Sequence, residues 1–180
     1  MRLTLPPDVT IVDLTRPDHA VPRLAAALNR IRDRPSLVAE TEVLARQMIE
    51  ETTRAGGYLL AVLSDGAILT GANVPGAADW SREHTNALRW RLDDTGHETV
   101  TIETPLGPVV VAEWHTGNTA QLQAFLMEPG CCDVVVITLT AWSSPGWPAH
   151  RTAFLDLVHT VDDQDCATVI EPWMARREPR

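Results

Sequence analysis

The residues best suited to acid–base or metal chemistry are two histidines and one glutamate. Histidine titrates near neutral pH and binds zinc, and a carboxylate beside it can orient the ring. His97 and His115 lie roughly symmetrically about a predicted turn at residues 104–108, so the two rings could approach each other across a hairpin. Glu113 lies two residues before His115 and faces the same side of that strand. These three residues form the candidate catalytic site; the competing interpretation is a solvated end of a sheet.

No cofactor or metal site is expected from the remaining motifs. The six histidines show neither the four-residue spacing of helical metal ligands nor the two-residue spacing of strand ligands. The acidic run at residues 162–165 lacks the glycine that a calcium loop requires. All 15 basic residues are arginine, so neither a phosphate-loop lysine nor a Schiff-base lysine is available. Cys131, Cys132 and Cys166 show no disulfide framework and are expected to be free thiols.

Tryptophan is the other unusual feature, with six residues beside two phenylalanines and one tyrosine. Trp142, Trp147 and Trp173 follow the last predicted strand or lie near the C-terminus, where exposed aromatic rings would mark a binding surface. They are the candidate partner-binding residues. The alternative is that these rings cover sheet edges and close the core, in which case they would be buried.

A polar face of the predicted sheet is a second candidate surface. Alternation places Gln121, Gln123 and Phe125 on one side of their strand, and pairing could bring Thr138 and Thr140 beside them. Such a partly aromatic, polar surface suits a ligand groove or a partner. The alternative is an ordinary sheet face covered by helices.

Composition excludes several classes of partner. The net charge is −9 and the isoelectric point is about 5.0, so phosphate backbones and anionic membranes are repelled. We therefore expect no nucleic acid and no membrane. A basic protein or a cationic small molecule fits this charge better, and the alternative is that the charge serves solubility alone. The N-terminal residues lack the apolar core of a signal peptide, which predicts a cytoplasmic protein.

Hydrophobic periodicity predicts a single α+β domain over residues 1–180, with about 166–180 as a C-terminal extension. The predicted order is strand, two helices, a hairpin, a helix over 79–92, a meander of four strands, and a final helix. The apolar run at 58–63 has no polar side and is predicted to be a central strand covered on both faces. These elements give a mostly antiparallel sheet of about seven strands with helices packed on it.

This order of elements resembles the Mog1/PsbP-like α/β/α sandwich family, and in particular its small cytoplasmic members common in actinobacteria. The resemblance is carried by the helix and hairpin over residues 46–74, the meander over 98–142 and the helix over 149–161. It implies a mostly non-enzymatic family of photosystem subunits, a Ran-binding factor and lipoproteins, although this chain has no N-terminal lipobox cysteine. No functional residue carries over from it.

The sequence therefore predicts a non-enzymatic interaction or adaptor module. The alternative is a small-molecule-binding protein or enzyme that uses a sheet-face pocket, with His97, Glu113 and His115 in acid–base roles.

Overall fold

The chain is described from a computed structural model, which covers residue 5 and residues 9–32, 38–76, 81–127, 133–142 and 146–161. Eleven elements follow one another in the predicted order. They are β1 (Thr10–Ile11), α1 (Pro17–Arg32), α2 (Val38–Arg54), β2 (Gly57–Val62), β3 (Ile68–Pro75), α3 (Arg82–Asp94), β4 (Glu98–Thr104), β5 (Gly107–Thr116), β6 (Thr119–Met127), β7 (Asp133–Trp142) and α4 (Trp147–His159).

The seven strands form one sheet in the order β1-β2-β3-β7-β6-β5-β4, and every neighbouring pair is antiparallel. The α+β prediction is therefore confirmed, as is the meander, because β4 to β7 are sequential neighbours. The Asp65-Gly66 turn between β2 and β3 is also confirmed: Gly66 has φ +95°, and the Leu63 amide donates to the Ala67 carbonyl at 2.8 Å.

The prediction that residues 58–63 form a strand covered on both faces is confirmed, but the strand does not lie at the centre of the sheet. β2 is second from the edge, and β7 occupies the centre. The run is apolar because both its faces are covered. Leu60 and Val62 pack with α1 and α2, and Ala61 joins the core on the other face. The strand outside it, β1, is two residues long and pairs with Ala61 and Val62, so the enclosure of β2 comes from the elements packed on its two faces.

The helices lie on both faces of the sheet, which gives three layers. The register defines the faces, because directly paired residues share one side. On the first face, α1 and α2 cover β2, and α3 lies against β4 and β5, where its Asp93 accepts a hydrogen bond from Thr99. On the second face, α4 packs over an apolar surface that includes Val111, Leu122 and Ile137.

The third helix begins later than the sequence predicted, at Arg82 rather than at residue 79. Ser81 precedes it in extended conformation, and its backbone N–H donates to Nδ1 of His84 at 3.1 Å. This contact satisfies one backbone donor at the start of the helix, which is why regular helical structure begins at Arg82. No helix within the described residues is both long enough and apolar enough to cross a membrane.

Candidate functional site

The candidate site is built around Glu113, a charged residue at an inward position of β5. It shares the parity of Val109 and Val111, which are both buried, and it is itself only 8% exposed. A carboxylate can occupy such a position only if hydrogen bonds or opposite charges compensate for the water it loses. The register pairs Glu113 with Glu98 of β4 and Leu122 of β6, so neither direct cross-strand neighbour offers a donor or a positive charge.

Two residues of α4 donate hydrogen bonds to the Glu113 carboxylate. The indole Nε1–H of Trp147 donates to Oε1 of Glu113 at 2.6 Å. The Nε–H of Arg151 donates to Oε2 of Glu113 at 2.8 Å. Trp147 and Arg151 lie four residues apart, so both project from one side of the helix onto the same carboxylate. We call Glu113, Trp147, Arg151 and His115 the Glu113 cluster.

The third partner of Glu113 is His115, whose Nε2 lies 3.3 Å from Oε1. An ionised carboxylate only accepts hydrogen bonds, so this contact assigns a hydrogen to Nε2. The prediction that Glu113 and His115 face the same way is confirmed by the contact. The His115 side chain is half exposed, whereas that of Glu113 is 10% exposed.

These contacts determine the charge state of Glu113. Burial raises the pKa of the carboxyl group, but the hydrogen bonds from Trp147 and Arg151, the positive charge of Arg151 and the His115 contact outweigh it. The pKa therefore lies below its ordinary value, and the group is ionised at neutral pH. Both oxygens already accept hydrogen bonds, so Glu113 is better suited to holding α4 on the sheet than to removing a proton from a substrate.

Contacts around Trp147 extend the cluster to the β2–β3 turn. The ring of Trp147 meets the ring of His115 edge-on, with centroids 5.8 Å apart, and meets that of His150 at 6.4 Å. Nε2 of His150 in turn lies 3.3 Å from Oδ2 of Asp65. The start of α4 is thus tied to β5 on one side and to the Asp65 turn on the other.

His97 does not join the cluster. It precedes β4, and its ring packs edge-on against Trp114 with centroids 5.1 Å apart. Trp114 lies between Glu113 and His115 in β5, so its side chain is on the opposite face of the sheet. The predicted approach of His97 to His115 is therefore wrong, because His97 packs on the α3 side whereas Glu113 and His115 lie on the α4 side.

The cavity beside Glu113 is small, at about 80 Å³. Its lining residues come from β4, β5, β6 and α4, and include Val100, Val111 and Leu155. A binding pocket for a typical small molecule has about 300–1,000 Å³. A larger cavity, of about 390 Å³, lies between α1 and α2, and its lining includes Asp18, Glu42 and Arg46. Among the residues that the structure describes, none of the predicted site residues lines it. Across the described ranges, no group of three or more metal-binding side chains comes together.

The three tryptophans predicted to bind a partner have different outcomes in the structure. Trp147 is 7% exposed, and its N–H is already used, so it lacks the accessibility that a partner anchor needs. The structure supports the alternative interpretation, in which this ring closes the core. Trp142 is the last residue of β7, opposite Thr119, and its side chain is not among those described. Trp173, like the three cysteines, lies outside the described residues.

The polar face predicted from the sequence does assemble. Gln121 pairs with Thr140 and Gln123 pairs with Thr138 across β6 and β7, and Phe125 lies on the same face. On β5, Trp114 is the direct neighbour of Gln121. All six side chains are partly exposed. We call Trp114, Gln121, Gln123, Phe125, Thr138 and Thr140 the polar strip.

The sequence did not reveal the two partners of Glu113 that lie far from it along the chain. Trp147 and Arg151 follow Glu113 by 34 and 38 residues, and no local spacing connects them. One signal was available: a glutamate at the inward parity of an apolar strand requires a buried donor or cation. No family model, curated protein or solved structure matches this chain.

Proposed function

We propose that this protein is a non-enzymatic interaction module of the cytoplasm that binds a basic partner protein through the polar strip. The observation that carries the proposal is the contrast between the two faces of the sheet. Under α4, the residues of β6 and β7 that face the helix are apolar and buried. On the other face, the polar strip combines amides, hydroxyls and two aromatic rings that remain partly accessible.

The position of the polar strip favours a helical segment of the partner. The helices on this face contact β2 on one side and β4 and β5 on the other, so the strip on β6 and β7 lies between them. Two strands span about 10 Å, which is the diameter of one α-helix with its side chains. A helix in this position would continue the helical layer and could pair its polar groups with Gln121 and Gln123.

Charge supports a basic partner. The chain carries a net charge of −9, which attracts a positively charged surface and accelerates its association. The order of elements supports the further proposal that the protein is related to the Mog1/PsbP-like sandwiches, whose members are mostly non-enzymatic. The enzymatic alternative has less support, since both oxygens of Glu113 already accept hydrogen bonds and its lowered pKa makes the carboxylate a weaker base.

The proposal can be tested with Gln123→Arg, which places a positive charge in the middle of the polar strip. Ala153→Arg is the matched control, because Ala153 is exposed on α4 on the other side of the sheet. Proteins captured from native lysate should be compared by quantitative mass spectrometry, and the affinity of one captured partner measured by calorimetry. We expect Gln123→Arg to weaken that affinity by about 30-fold or more, the scale of an interface hot spot.

The control should bind like the wild type, and both variants should keep the wild-type melting temperature to within a few degrees. Equal binding by wild type and Gln123→Arg would contradict the proposal. Catalytic turnover of a small molecule that is lost when His115 is substituted would favour the enzymatic alternative.

A further inference from the structure

We propose that the outer edge of β4 is a second binding site, which accepts an extended peptide segment with a small apolar residue followed two positions later by a basic residue. The proposal rests on the unpaired backbone of β4 and on the cavity between β4 and α4. It does not depend on the polar strip, which lies on the other face of the sheet. The expected mode is the addition of one strand to the sheet.

The register shows which backbone groups are available on this edge. A two-residue turn joins β4 to β5, with Thr104 opposite Gly107, and such a turn makes this a hydrogen-bonded pair. In an antiparallel ladder the hydrogen-bonded pairs alternate, so Ile102, Val100 and Glu98 also direct their N–H and C=O groups toward β5.

The intervening residues, Thr99, Thr101 and Glu103, direct the same groups away from β5. Pro108 is consistent with this assignment. It lies opposite Glu103 in a pair that makes no hydrogen bonds between β4 and β5, so its missing N–H costs that ladder nothing. Among the described strands, none pairs with the outer side of β4. Three consecutive outward positions therefore offer donors and acceptors to an incoming strand of about five residues.

The cavity of about 80 Å³ adds side-chain selectivity to this edge. Val100 and Glu98 line its β4 side, and Leu155 of α4 lines the other side. Val100 is 38% exposed, which is unusual for an apolar residue that borders the core. A cavity of about 150 Å³ holds a benzene ring, so about half that volume suits a small aliphatic side chain rather than an aromatic one.

The charge of Glu98 favours a basic residue in the incoming strand, two positions after the small apolar residue. Glu98 is exposed at the rim, and within the described part of the chain it has no ion-pair partner. The nearest lining cation, Arg151, is already hydrogen-bonded to Glu113. Residues two apart on a strand share a face, so a side chain beside Val100 puts the side chain two positions away beside Glu98. A lysine or arginine there would meet an unpaired carboxylate.

The test uses the full chain and the synthetic peptide acetyl-Thr-Val-Thr-Arg-Thr-amide, labelled for fluorescence anisotropy. Two peptides serve as controls, one with glutamate in place of arginine and one with tryptophan in place of valine. We expect the first peptide to bind and both controls to bind at least about fivefold more weakly. Amide hydrogen exchange at Thr99 and Thr101, the outward positions that this peptide spans when its valine lies beside Val100 and its arginine beside Glu98, should be fast in the free protein and slow at saturating peptide.

Two variants separate the backbone from the charge. Thr101→Pro removes an outward N–H without breaking the β4–β5 ladder, and should weaken binding about tenfold while the protein remains folded by circular dichroism. Glu98→Gln should weaken binding about two- to fivefold, with Glu83→Gln on α3 as its neutral control.

Failure of all three peptides to bind would overturn the proposal, as would binding that leaves the amides of Thr99 and Thr101 in fast exchange. A concentration-dependent dimer that Thr101→Pro dissociates would also overturn it, because the occupant would then be a second copy of this chain. If Gln123→Arg loses its lysate partners but still binds the peptide, the result would support a peptide site on β4 that is independent of the polar strip.

Discussion

The hydrogen bond from Trp147 to Glu113 predicts a measurable coupling energy between a residue of α4 and a residue of β5. Trp147→Phe keeps an aromatic ring but removes the N–H that donates to Oε1 at 2.6 Å. A hydrogen bond to a charged group contributes about 1.5–3 kcal/mol. The two remaining donors are already engaged, Arg151 with Oε2 and His115 with Oε1, so the bond lost in Trp147→Phe is not replaced. We therefore expect Trp147→Phe to lower the free energy of unfolding by at least that amount.

A double-mutant cycle isolates this interaction from the loss of ring volume. In the Glu113→Ala background the indole N–H has no carboxylate to bind, so Trp147→Phe should then cost only the packing difference. The difference between the two costs is the coupling energy, which we expect to be about 1.5–3 kcal/mol. Trp90→Phe is the matched control, since Trp90 is 73% exposed on α3 and should change stability by less than about 0.5 kcal/mol.

Urea denaturation followed by far-ultraviolet circular dichroism is the suitable assay, because it does not rely on tryptophan fluorescence. All four proteins of the cycle should be measured at neutral pH, where Glu113 is ionised. A coupling energy below about 0.5 kcal/mol would refute the reasoning. It would mean that the Glu113 cluster does not hold α4 on the sheet, and that packing of residues such as Phe154 and Val158 does so alone.

Two further predictions concern acid stability and the β2–β3 turn. Because the folded pKa of Glu113 lies below its ordinary value of 4.5, its contribution to stability is complete above that pH and is lost as the pH falls through the folded pKa. The difference in unfolding free energy between wild type and Glu113→Gln, measured from pH 6 to pH 3, should therefore shrink on acidification; a constant difference would contradict this. Gly66→Ala should cost more than Gly96→Ala in thermal unfolding. Both glycines have positive φ, but a Cβ at Gly66 would lie 2.7 Å from Cγ2 of Ile31, whereas at Gly96 it would meet nothing within 4 Å. The conformational cost common to both is about 1–2 kcal/mol, and the clash should add about 1–3 kcal/mol at Gly66 alone; equal costs would show that Ile31 moves aside freely.

Local patterns in the sequence determined the elements and their order. Alternation identified the first strand of the meander, and the same period of two appears in β6, where buried and partly exposed residues alternate. The pairs Asp65-Gly66 and Gly117-Asn118 marked turns because their glycines adopt positive φ. Even the polar strip was predictable, because the side of Gln121 and Gln123 follows from parity, and their pairing with β7 follows from a short connection.

Tertiary structure alone decided what surrounds those elements. The position of β2 in the strand order was not predictable, because an apolar run indicates only that both faces of the strand are covered, and the faces of β2 are covered although it lies second from the edge. The placement of His97 was likewise open, since symmetry about a turn does not reveal which face a residue outside the strand will pack against.

The Glu113 cluster shows the same division most clearly. The parity of Glu113 determined that its carboxylate points inward, and elementary electrostatics then demanded a partner. The identity of that partner depended on how α4 crosses the sheet, which is set by the packing of its apolar side and by no spacing in the chain. Trp147 therefore appeared from the sequence to be an exposed anchor, whereas the fold buries it as the donor that a buried carboxylate requires.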